Sequence, residues 1–135
     1  MIGRNMKKYD EWNVLKKEMF SQNKKLIFKV REVFWIRVGQ NVGYETDGKG
    51  DDFLRPVLIL RKFSKDTFLG IPLTTSNKDD IFHYKFQMLS SNKLSYATLS
   101  QVKLFDAKRL HNKLGKISIN DFEELKLKLQ ELIFE

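Results

Sequence analysis

The sequence has no cysteine among its 135 residues. That excludes disulfides, thiolate zinc sites and a thiol nucleophile, and it fits a reducing compartment. Histidine is almost as scarce. His83 and His111 stand alone, and the carboxylates are scattered without metal-ligand spacing. The pattern therefore calls for no metal and no other cofactor. Long apolar runs are missing as well. Met1 to Lys8 lacks the apolar stretch of a secretory signal, and no segment approaches the length that crosses a bilayer. The expectation is a cytoplasmic protein with no membrane partner.

What is present is enough for one core. Hydrophobic residues make up 41% of the chain, with eleven Phe and two Trp, as a single folded domain of this length needs. Charge is the strongest global feature, at a formal +8. Such a surplus concentrates polyanions near the protein without saying which polyanion. It is unevenly placed: residues 1–31 hold nine basic groups against three acids, so the remainder is nearly balanced.

Residues 9–20 read as a helix, because Tyr9, Trp12, Leu15 and Met19 share one face. Residues 1–30 are expected to form an N-terminal helical extension. From Arg31 the period changes. Residues 31–38 are rich in aromatic and β-branched types and read as a strand. Gly39 to Asp52 reads as a polar, glycine-rich loop able to act as a lid. Arg55 to Leu60 is apolar on both faces and so is expected at the centre of a sheet. Pro56 cannot donate a ladder hydrogen bond and should mark that strand's first residues.

Thr67 to Thr74 returns as a strand. Phe82, Tyr84 and Phe86 alternate with Ile81, His83 and Lys85, which predicts a half-buried strand. Residues 94–99 and 102–105 give two more short strands. Closely spaced strands with no long helix between them favour a small antiparallel barrel, within a mainly β (α+β) class. Ser118, with Asp121 three residues on, should cap a final helix whose stripe is Phe122, Leu125, Leu129 and Leu132.

Four segments occur in order and together resemble the PemK/MazF toxins of type II toxin–antitoxin systems. They are Arg31–Ile36; Gly43–Glu45 followed by Arg55–Leu60; Ile71–Ser76; and Leu99–Asp106 with Leu114–Ser118 and the last helix. The resemblance spans about residues 31–134. It implies an SH3-like barrel over 31–135, a homodimer, and metal-independent, sequence-selective cleavage of single-stranded RNA. It also implies a cognate antitoxin, expected to be acidic and partly disordered.

By the same resemblance, Arg55 and Thr74 fall at the catalytic arginine and threonine. A guanidinium is permanently charged and can grip two phosphate oxygens. The competing reading of Arg55 is an ion pair with a loop carboxylate such as Glu45. That of Thr74 is a local backbone contact at a strand end. Glu45, Lys49, Thr75, Ser76 and Gln101 are candidates for RNA contact. Some relatives carry an Arg and an Asp near the position of Gln101 as acid and base. This chain has Thr98 and Ser100 there, which leaves His83 as a candidate general base and His111 as a weaker one. Phe82 and Tyr84 are candidates for base stacking, against core packing as the alternative. Two non-nuclease readings stand beside these: a silent RNA-binding barrel, and a barrel of this fold that inhibits a protein such as DNA gyrase.

Overall fold

The computed structural model describes residues 26–37 and 54–134. The expected helix over 9–20 and the glycine-rich loop lie outside the described residues, as do Glu45 and Lys49.

Among the described residues, seven strands and one helix follow in chain order: β1 (Glu32–Arg37), β2 (Leu54–Lys62), β3 (Thr67–Thr74), β4 (His83–Gln87), β5 (Leu94–Thr98), β6 (Lys103–Asp106), β7 (Leu110–Lys116) and α1 (Ile119–Phe134). Short 3-10 turns, Leu99–Gln101 and Ala107–Arg109, flank β6. All pairings are antiparallel, in the order β4-β5-β3-β2-β1-β7 with β6 added to β3.

The double-sided strand β2 lies where its composition predicts, between β1 and β3. Leu58 and Leu60 enter one apolar cluster, with Ile71, Leu73, Phe86 and the helix residues Phe122, Leu125 and Leu129. Val57 and Ile59 enter a second cluster on the opposite face, with Phe34, Phe68 and Phe105. Period-two alternation sends successive side chains to opposite faces, so a strand apolar at every position needs a cover on both. α1 covers one face. The segment before β1 helps cover the other: Phe28 is 1% exposed and packs on Phe68 at 5.3 Å between ring centroids. Phe28, which the expected boundary at residue 30 assigns to an extension, is thus a core residue of the sheet.

The antiparallel, curled sheet agrees with the expected class, but its ladder is not closed. The edges β4 and β7 approach at a seam, where Leu89 N–H donates to the Lys116 carbonyl at 2.9 Å. Gly115 leaves room there for the Met88 side chain, whose Sδ would lie 2.5 Å from a Cβ at that position. β7 was not anticipated. As an edge strand its residues are mostly exposed, so it lacks apolar alternation. Tyr84 and Phe86 are buried as expected, whereas Phe82 precedes β4 and is 44% exposed. The predicted helix cap is present: Ser118 Oγ accepts from Asp121 N–H at 3.1 Å and donates to Asp121 Oδ2 at 3.2 Å.

Candidate active site

The site arises where β3 changes partner. β3 pairs with β2 from Phe68 to Pro72, then with β5 at Leu73 and Thr74. Pro56 has no N–H to extend the β2 ladder, and the last pair of that register is Val57 with Pro72. Beyond it the ends of the two strands part and a cleft of about 540 Å³ opens, within the range of ligand sites.

Arg55 and Thr74 both line this cleft. Trp35, Pro56 and Leu73 supply apolar walls, and Thr75 and Asn112 add polar groups. Arg55 is the one charged side chain among the described residues that line it. Its residue is 9% exposed and its Nε is buried. Desolvation holds its pKa below the ordinary guanidinium value, yet a guanidinium stays charged at any physiological pH. A cation in a partly apolar cleft acts through a lower dielectric than it would on an open surface. The arrangement suits an anion with a flat or apolar neighbour.

Thr74 makes the local backbone contact expected at a strand end. Its Oγ1 accepts the Ser76 N–H at 3.2 Å, forming a local turn at the strand end. A hydroxyl carries one donor in addition, so the same contact fixes the oxygen and leaves the proton for a ligand. Thr75 continues the cleft wall, while Ser76 is exposed and contributes its backbone N–H to the turn.

The other candidates are placed elsewhere. Gln101 sits in the turn after β5 and is not among the cleft residues. His83 lies on β4, two strands from β3, in a separate cleft of about 680 Å³ between β4 and α1 with Glu124, Lys128 and Glu131. Its Nδ1 is 2.7 Å from Asp80 Oδ1. The structure does not bring it to Arg55. That hydrogen bond is also the main cause holding the Asp80 carboxyl below its ordinary pKa. Tyr84 is no stacking platform: it is buried, with its hydroxyl donating to Asp121 Oδ1 at 2.9 Å, and burial raises its pKa. His111 is exposed on β7, 2.6 Å from Asn112 Oδ1.

Sequence reasoning passed over Trp35 and Asn112. Trp35 looked like one more strand aromatic, and Asn112 belongs to the unpredicted β7. A cross-strand row joins them, Asn112 to Trp35 to Pro56, and only the pairing reveals it. Among the described residues no group of three or more His, Cys, Asp or Glu could hold a metal ion, and no helix is long and apolar enough to cross a membrane.

Solved structures share this fold. The MazF of Deinococcus radiodurans is 15% identical with a TM-score of 0.61, over 82% of this chain and 99% of that one. The Mycobacterium tuberculosis toxin MazF-mt6 is 15% identical with a TM-score of 0.57, over 76% of this chain and 96% of that one. An endoribonuclease in complex with its cognate antitoxin, from a mycobacterial species, is 14% identical with a TM-score of 0.58, over 79% and 95% respectively. No curated protein matches the sequence. Residues 29–133 match the family of PemK-like, MazF-like toxins of type II toxin–antitoxin systems. The chain belongs to that family.

Proposed function

We propose that this toxin is an endoribonuclease that cuts single-stranded RNA without a metal ion, and that the Arg55–Thr74 cleft is where it cuts. The observation that carries the proposal is the meeting of a fixed cation and a positioned hydroxyl in one cleft. In such a reaction the ribose 2′-oxygen attacks the adjacent phosphorus and the P–O5′ bond breaks. The 2′ proton leaves, the 5′-oxygen gains a proton, and the products are a 2′,3′-cyclic phosphate and a 5′-hydroxyl. Arg55 balances the negative charge that grows on the phosphorane oxygens, the kind of contribution that is strongest in a desolvated site. Thr74, tethered by Ser76, donates to a non-bridging oxygen and aligns the phosphodiester. Thr75 and Ser76 position the flanking backbone.

The fold relatives include toxins solved with antitoxins: the mycobacterial endoribonuclease, and the Deinococcus radiodurans MazE–MazF pair, 15% identical with a TM-score of 0.60. By analogy we propose a cognate antitoxin for this chain, an acidic segment that covers the Arg55 cleft, and a homodimeric toxin in the cytoplasm. The test is incubation of the protein with a long single-stranded RNA in EDTA. Discrete fragments ending in cyclic phosphate support the reading. Intact RNA that is bound but never cut refutes it.

A further inference from the structure

The row Asn112–Trp35–Pro56 runs across β7, β1 and β2 into the cleft that holds Arg55 and Thr74. Cross-strand neighbours of this kind sit about 4.5–5.5 Å apart at Cβ, so an indole, a proline ring and a carboxamide form one continuous surface along that cleft. We infer that this surface is a base-recognition subsite: Trp35 stacks on an unpaired base next to the phosphate held by Arg55, and Asn112 reads that base's edge. The inference rests on the proposed ribonuclease reading and assigns part of its specificity.

Three observations support it. Trp35 is partly exposed and lines the cleft, although Val33, two residues before it on the same face of β1, is 0% exposed. An aromatic face partly open to a cleft that also holds a cation is what single-strand recognition uses, because every base offers a π-face. Second, the β1–β7 register shifts between Trp35 and Ile36, whose partners are Asn112 and Leu110. His111 is the extra residue of that bulge, and bulges re-aim side chains. Third, His111 Nδ1 lies 2.6 Å from Asn112 Oδ1. With that oxygen accepting from the imidazole, the Asn112 amide nitrogen presents its donors outward. The subsite therefore prefers a base that turns an acceptor, a ring nitrogen or a carbonyl oxygen, towards Asn112.

Trp12→Phe leaves Trp35 as the sole tryptophan and makes its fluorescence a direct probe. The ligands are a mixed-sequence 2′-O-methyl RNA oligomer, which lacks the attacking hydroxyl, and inorganic polyphosphate of matched charge. We expect the oligomer to quench Trp35 and polyphosphate to leave it unchanged. Trp35→Phe should keep most of the affinity, while Trp35→Ala loses roughly tenfold or more. Asn112 is exposed, so Asn112→Ala should fold normally. It should still cut RNA, with preference at one base position relaxed by roughly tenfold. RNA cleavage with no oligomer-specific quenching and an unchanged cleavage pattern in Asn112→Ala overturns the subsite and leaves the ribonuclease reading standing. Absence of both RNA binding and cleavage overturns the two together.

Discussion

Arg55 carries more of this account than any other side chain, because no second cation lines its cleft among the described residues. Arg55→Ala should lower the cleavage rate on the order of 10²–10³-fold, the range seen when one transition-state donor is removed. Arg55→Lys should restore only a fraction, since an ammonium cannot grip two oxygens in a plane. Asp80 offers a prediction of a different kind. Its hydrogen bonds to His83 and to the Phe82 N–H hold the carboxyl below its usual pKa. A carboxylate depressed in the folded state stabilises the fold above the ordinary carboxylate range, and that contribution is lost as pH falls through the folded value. Asp80→Asn should therefore flatten the acid limb of Tm against pH, measured from neutrality down to about pH 3, and leave RNA cleavage unchanged.

At the scale of elements, two positions test the packing argument. A Cβ on Gly70 would lie 2.7 Å from Val57 Cγ1 and 3.0 Å from the rings of Phe68 and Phe105. Val57 is buried and its β-branched side chain has little freedom to turn away. Gly70→Ala should cost about 1–3 kcal/mol by overpacking, read as a lower midpoint in urea unfolding. Ser118→Ala removes the reciprocal contact with Asp121 at the start of α1, and should cost about 1 kcal/mol by the same measurement. The α1 stripe and cap were legible in the sequence because a cap and a 3.6-residue period are local signals. β2 was legible because burial on both faces leaves an unbroken apolar run. β7 was not, since an edge strand that buries little carries no alternation to read. Phe82 misled for a related reason: period alone does not show where β4 begins.

For the molecule as a whole, the topology explains how Arg55 and Thr74, which the resemblance implies act together, come to line one cleft. β3 serves three partners, β2, β5 and β6, and the cleft lies where it leaves the first for the second. That exchange is a long-range property with no local signature, so neither the row from Trp35 to Asn112 nor the separation of His83 from the cleft can be read from the sequence. On the proposed reading, the +8 net charge predicts salt-dependent RNA binding: affinity should fall steadily as salt rises, with a log–log slope set by the number of phosphates neutralised. Whether Arg55 and Thr74 act on one phosphodiester is decided by a double-mutant cycle on Arg55→Ala and Thr74→Val, read by single-turnover cleavage of a single-stranded RNA in EDTA. If both groups act on one phosphodiester, each variant is slowed and the double variant loses less than the product of the two single losses. Cleavage by Arg55→Ala at the parent's rate would contradict the account.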